Sequence, residues 1–250
     1  MMSHLVSNAL LAQQQKSWRI ISDHCKGEKG RRGLFLEHIH PLLGEGVMLL
    51  DAGCGKGRGT VTEYKEHVRV AVGLDLGYED LKQNQTVHTR VQGDVQQLPF
   101  KDTAFDVVVS QWCIEHLAIP RVFFAEVGRV LKLGGHFVFA TPNLYNYITI
   151  LARLTPLRVH KFFNRVLLHG DDEDMFRTFY RANTVTCLDR QLSVVGLRRV
   201  HISLYEEPPW LWTFSPSMCK LALRYRDSIM CSRRLVRFCG IIMATYRKET

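Results

Sequence analysis

Short apolar runs separated by polar, glycine-bearing breaks give the chain its first visible order. Val47–Leu50, Val68–Leu74, Phe105–Ser110 and His136–Ala140 are rich in β-branched and aromatic residues, and Thr89–Gln92 is a weaker run of the same kind. Runs of four to eight such residues suit strands covered on both faces. Between them the apolar spacing turns helical. Residues 8–24 and 32–43 read as helices, and Ile119–Leu133 as a third, with Pro120 in its first turn and Gly134-Gly135 as its stop. Asn183–Val195 predicts a further helix capped by Asn183, and Leu197–Tyr205 and Gly240–Arg247 predict two last strands. Strands alternating with helices imply an α/β fold whose sheet is mostly parallel, with helices on both faces.

At 250 residues the chain suits one domain. Residues 1–45 form a helical N-terminal cap, 46–143 the core, and 183–250 the C-terminal part of the sheet with a basic helical segment. The alternation breaks at 144–182, which is helical and aromatic and contains the acidic patch Asp171–Asp174. It reads as an insertion after the fifth strand, over the carboxyl edge where open α/β sheets bind ligands, either as a lid or as a structural lobe.

The strongest chemical signal is Leu49-Leu50-Asp51-Ala52-Gly53-Cys54-Gly55-Lys56-Gly57. A strand ends there, and glycines let the backbone turn tightly beneath a ligand. A following helix would present free N–H groups to that ligand. Arg58 stands where a dinucleotide fingerprint needs its third glycine, and the P-loop spacing is absent. The pattern that remains, D-x-G-x-G-x-G, resembles motif I of class I S-adenosylmethionine-dependent methyltransferases. Asp75 closes the second run twenty positions beyond Gly55, where a carboxylate can accept hydrogen bonds from both ribose hydroxyls. Gly93-Asp94-Val95-Gln96-Gln97-Leu98-Pro99-Phe100 followed by Phe105–Ser110 is similar to motifs II and III of the same family.

This resemblance spans residues 47–143 and implies a Rossmann-like seven-stranded sheet with S-adenosylmethionine as cofactor. It assigns cofactor contacts to Asp51, Gly53, Gly55, Gly57, Asp75, Leu76, Asp94, Val95 and Gln111, with Asp94 on the adenine amino group. Gln111-Trp112-Cys113-Ile114-Glu115-His116-Leu117 follows the fourth strand. Its Glu-His pair resembles methyltransferases of ubiquinone and menaquinone synthesis and their small-molecule relatives. His116 is the candidate general base, because imidazole titrates near neutrality, while helix packing is its plainer role. Trp112 occupies the position of a metal-binding glutamate in some of those relatives, so no metal is expected. Trp112, Tyr180 and Arg181 are the candidate substrate contacts.

Charge and cysteine usage refine this picture. Through Ala140, 16 Lys/Arg oppose 15 Asp/Glu, whereas from Thr141 onward 17 oppose 9. The excess gathers near Lys220, Arg224, Arg226, Arg233, Arg234 and Arg237, where it can meet phosphate, anionic lipid or an acidic substrate, or form a solvated helix face. Residues 217–243 interleave arginines with apolar residues, which allows a peripheral membrane contact. Seven scattered cysteines without a C-x-x-C pair suggest reduced thiols in a cytoplasmic setting. No signal peptide is expected, and no apolar run approaches the roughly 20 residues of a bilayer span. The expected reaction is methylation of oxygen, nitrogen or carbon in a small or lipophilic metabolite. An RNA methyltransferase using the basic segment and a non-catalytic cofactor-binding partner are the rival readings. The first lacks an RNA-binding module and the Asn/Asp-Pro-Pro-Tyr/Phe signature, so nucleic acid is the less favoured partner. Nothing in the sequence indicates an oligomeric state.

Overall fold

The apolar runs become strands where their pattern predicts. The computed structural model describes residues 2–60, 62–154 and 177–249. Its seven strands are β1 (Gly44–Ala52), β2 (Val68–Asp75), β3 (Thr89–Gln92), β4 (Phe105–Gln111), β5 (Leu131–Pro142), β6 (Leu197–Tyr205) and β7 (Ile241–Lys248). They form one sheet in the order β3-β2-β1-β4-β5-β7-β6. The first five run parallel, and β7 lies antiparallel between β5 and β6.

Alternate residues face opposite layers, and both layers are apolar. On one side Leu50, Val72, Val108, Phe137 and Phe139 meet Phe123 and Phe124 of α4 (Pro120–Val130) and Leu188 and Leu192 of α6 (Val185–Ser193). On the other, Leu49, Ala71, Val107, Val109 and Val138 meet Phe35 and Ile39 of α2 (Gly30–Ile39). Burying each large apolar side chain contributes roughly 1.5–3 kcal/mol, so the doubly covered sheet is the stable frame. A smaller cluster of Ile21, Cys219 and Leu223 joins α1 (Met2–His24) to α7 (Pro216–Cys231).

Four local expectations change. The helix predicted to run to Leu133 ends at Val130, and Leu131 already pairs with Phe105 of β4. Leu131 is fully buried, so strand packing overrides local helical spacing. Gly134-Gly135 therefore lies within β5, beside a register shift. Second, no α-helix follows the glycine loop among the described residues; turns lead to a single 3₁₀ turn at Glu63–Glu66. Only ten residues separate Gly57 from Val68, and they include Gly59, Thr60, Val61 and Thr62, which are poor helix formers. Third, the cap of α6 is Thr184 rather than Asn183, its side chain accepting from the Cys187 amide at 3.3 Å. Fourth, Arg226 is not part of a basic surface. It is 2% exposed, and its guanidinium forks onto the Glu28 carboxylate while Nε donates to the Glu206 carbonyl at 3.0 Å.

The expected insertion begins with α5 (Tyr147–Leu154), whereas α3 (Tyr78–Gln83) follows β2. The Leu144 amide donates to the Asn183 carbonyl at 2.7 Å, so both ends of the insertion meet beside the carboxyl end of β5. Residues 155–176, including the patch Asp171–Asp174, lie outside the described residues. All seven cysteines are free thiols. Among the described residues, no helix is long and apolar enough to cross a membrane.

Candidate functional site

The glycine loop wraps the carboxyl ends of β1 and β2 around a cavity of 260 Å³. The amides of Gly53 and Cys54 both donate to the Leu74 carbonyl, at 2.8 and 3.1 Å, which turns the chain sharply out of β1. Gly53, Gly55 and Gly57 all have positive φ, at 80°, 47° and 75°. At Gly57 a Cβ would also lie 2.8 Å from Asn84 Oδ1 and from the Thr86 methyl, so the conformation and the space both require glycine.

Two carboxylates face each other across this turn. Asp75 accepts the Gly55 amide on Oδ2 at 2.7 Å and the Gly77 amide on Oδ1 at 2.9 Å. A carboxylate has about four lone-pair sites, so one on each oxygen remains for a ligand hydroxyl. Asp51 is only 4% exposed and lines the cavity. Burial, reinforced by the charge of Asp75, pushes its carboxyl up to about 7. Such a group is stabilised in its charged form by an incoming cation. Lys56 lies 3.5 Å from Asp80 on α3, at the outer rim.

The fourth strand supplies the next wall. Gln111 lines the cavity, but its side chain is engaged with the loop itself: Oε1 accepts the Thr60 amide at 2.7 Å and Nε2 donates to the Tyr64 hydroxyl. Trp112 follows with φ at 59°, a left-handed conformation rare for a bulky residue. Its amide donates to the Ala140 carbonyl at 2.9 Å, and the Arg31 guanidinium lies 5.3 Å from its ring centre. His116 also lines the cavity, and its Nδ1 is 3.0 Å from the Arg177 carbonyl. A carbonyl only accepts, so Nδ1 carries the proton and Nε2 holds the lone pair of the neutral ring. Burial holds the imidazole below its ordinary range.

Glu115 points the other way, into the protein. It is 4% exposed, burial raises its carboxyl to about 7, and Oε2 accepts from the Thr141 hydroxyl at 3.0 Å. Its carbonyl receives the amides of Phe179 and Tyr180 at 2.7 and 3.2 Å, which pins the returning end of the insertion beside His116.

The other expected site residues sit at the same edge but not in this cavity. Leu76 is 70% exposed beside Asp75 and presents an apolar surface. Asp94 is exposed and accepts the Gln96 amide at 2.8 Å, while Val95 packs into the core. The Gly93 amide donates to the Asp75 carbonyl at 3.0 Å, so Asp94 begins its loop directly next to the ribose candidate. Tyr180 is half-buried with φ at 51°, and Arg181 is exposed on the surface.

Sequence reasoning missed a second cavity, of 170 Å³, which shares Trp112 with the first. It holds Glu206, 6% exposed, whose Oε2 accepts from Asn146 Nδ2 at 2.9 Å and the Gly240 amide at 2.5 Å. Burial pushes this carboxyl up to about 7 as well. The available signals were two asparagines just after β5 and a Glu-Glu-Pro-Pro-Trp run just after β6.

Comparison with known proteins agrees with this geometry. Residues 50–139 match the methyltransferase domain family. A malonyl-[acyl-carrier protein] O-methyltransferase of Erwinia billingiae is 32% identical over 130 residues, 49% of this chain and 50% of the relative. A phthiotriol/phenolphthiotriol dimycocerosates methyltransferase of Mycobacterium tuberculosis is 36% identical over 125 residues, 45% of each chain. The chain thus spans about half the length of the curated relatives it matches. A solved S-adenosylmethionine-dependent methyltransferase of Mesorhizobium loti shares the fold, with a TM-score of 0.56 at 18% identity over 86% of this chain and 97% of its own. Residues 50–139 are thus similar to methyltransferase domains, in agreement with the motif series, and the chain shares the fold of the solved methyltransferase.

Proposed function

We propose that this protein methylates a small or lipophilic acceptor, with S-adenosylmethionine as donor. The observation that carries the reading is one cavity lined by Asp51, Gly53, Gly55, Trp112 and His116, with Asp75 bonded to the Gly55 amide at its edge. The residues present fit the cofactor. Asp51 is a buried carboxylate suited to the methionine ammonium, and Asp75 retains lone pairs for the two ribose hydroxyls. Leu76, Asp94 and Val95 border the place for adenine beside Asp75. When bound, the cofactor supplies an electrophilic methyl group on a sulfonium.

The protein's own task is alignment. Holding both reactants in line contributes roughly 7–11 kcal/mol. Gln111 keeps the glycine loop closed through Thr60 and Tyr64, and Trp112 divides this cavity from its neighbour. His116, which lines the cavity and is held by the Arg177 carbonyl, is the candidate base for a proton leaving the acceptor. The acceptors in the two relatives' names, malonyl-[acyl-carrier protein] and phthiotriol or phenolphthiotriol dimycocerosates, support a small or lipophilic acceptor here.

Calorimetric titration with S-adenosylmethionine tests the cofactor half. Saturable binding is expected, and Asp75→Ala should weaken it markedly; unchanged affinity removes the ribose assignment. Mass spectrometry of a metabolite extract incubated with isotopically labelled cofactor would identify the acceptor class from the mass-shifted product.

A further inference from the structure

We propose that the second cavity and the surface groove beyond it form the acceptor site, built for a neutral hydroxyl-bearing head on an apolar tail, with Glu206 receiving the head's hydroxyl. The inference rests on the methyl-transfer reading and gives it a substrate class.

Three spaces run in sequence along the carboxyl edge. Trp112 belongs to both the cofactor cavity and the second one, and Tyr147 belongs to both the second cavity and an outer groove of 300 Å³. The groove is walled by Tyr147, Trp212, Met218, Leu221 and Tyr225. These side chains hold one another in place. Trp212 Nε1 donates to the Tyr147 hydroxyl at 3.1 Å, and the rings of Tyr147 and Tyr225 meet edge to face at 5.6 Å. Leu221 is nonetheless 60% exposed and Tyr225 41%, on a helix whose inner face is already satisfied by Cys219, Leu223 and Ile229.

The polar end has a definite character. Glu206 has two donors on Oε2, so Oε1 is left to take a hydrogen bond from the cavity. Its neighbour Glu207 is already paired with Arg31 at 2.9 Å, and Arg31 in turn lies over Trp112. The cavity therefore presents two carboxylates against one committed cation. A hydroxyl donor suits the Glu206 carboxylate, and above pH 7, where that group carries its charge, an anionic head would meet like charge. Arg226 holds the Glu206 carbonyl from behind, which fixes the anchor without entering the cavity. Together these features bring an amphipathic molecule in head first, its tail left along α7 and its head beside Trp112, next to the transferred methyl.

Calorimetry on the protein saturated with S-adenosylhomocysteine tests this with 4-alkylphenols from methyl to octyl and the matching 4-alkylbenzoates. Phenol affinity should rise roughly fourfold per added methylene until the groove is filled, and each benzoate should bind at least tenfold more weakly than its phenol. Glu206→Gln should largely erase the preference for phenol over benzoate. Leu221→Asp, at an exposed position, should flatten the chain-length dependence, with S-adenosylhomocysteine binding as the check on folding. Phenols that do not bind, an affinity independent of chain length, or benzoates that bind equally well would each overturn the proposal while leaving the cofactor reading intact. Failure to bind S-adenosylhomocysteine would overturn both.

Discussion

The two ends of the carboxyl edge are built in different ways. At β1 and β2 the site is made by backbone: Gly53, Gly55, Gly57 and the amides that Asp75 receives all come from two short contiguous segments. At β5, β7 and β6 it is made by groups that meet across long separations, with Asn146 and Gly240 donating to the Glu206 carboxylate and Arg226 to the Glu206 backbone carbonyl. A cofactor common to a whole family can be held by a conserved style of turn, while an acceptor peculiar to one protein needs side chains that vary independently. Both ends nonetheless place a buried carboxyl near 7 beside a cavity, Asp51 at one and Glu206 at the other.

Mutations should separate the two ends. The largest effect is expected for Arg226→Met, which strands Glu28 and releases the Glu206 carbonyl. Breaking a buried pair costs about 3–5 kcal/mol, so urea unfolding should show a loss of at least about 2 kcal/mol for this partly solvated pair, whose Glu28 side chain is 35% exposed. Cofactor affinity should change little in the variant that remains folded. A loss in affinity as large as the loss in stability would mean the two ends are not independent.

Asp51→Asn comes next and acts at the other end. Loss of the charge-assisted contact should weaken S-adenosylmethionine binding roughly a hundredfold in calorimetry. The same variant should be more stable than the parent without ligand at pH 8. The folded carboxyl titrates at about 7 and the unfolded one near about 4. Between those values the folded state holds the extra proton, so its stability falls as pH rises, and the asparagine removes that fall. Parent and variant should converge in thermal melts below pH 4; a gap that persists there would refute the assignment. By the same linkage, cofactor affinity in the parent should strengthen as pH rises towards 7.

Smaller effects sharpen the boundary between the ends. Gly57→Ala meets both a positive φ and the side chains of Asn84 and Thr86, and should cost about 1–2 kcal/mol of stability with a roughly tenfold loss of cofactor affinity. Thr141→Val removes the hydroxyl donated to Glu115 and should cost about 1 kcal/mol in denaturant unfolding. It leaves the glycine loop untouched, so cofactor affinity should hold.

The same contrast explains what was legible in the sequence. Strand positions and the glycine turn were readable because each is encoded within a few consecutive residues. The helix expected after that turn was misread, since the ten residues before Val68 leave no room for a turn, a helix and a return. The end of α4 was misread because burial of Leu131 against β4, a tertiary effect, decided it. Gln111 was legible as a site residue, but its bonds to Thr60 and Tyr64 were not, for they join positions about fifty residues apart. Glu206 left only the Glu-Glu-Pro-Pro-Trp run as a local signal, which names no partner. Its chemistry exists only once β6 and β7 lie side by side, and only then do Asn146 and Gly240 become its donors.

Trp112 carries a last consequence. Its left-handed backbone costs a bulky L-residue roughly 1–2 kcal/mol, a strain that glycine would relieve at once. Glycine would also remove a ring that packs against the core beside Phe35 and Ile39 and lies under Arg31, so relief of the backbone is offset by lost packing. Tryptophan at this position marks a site where the fold has kept a wall in preference to a relaxed chain.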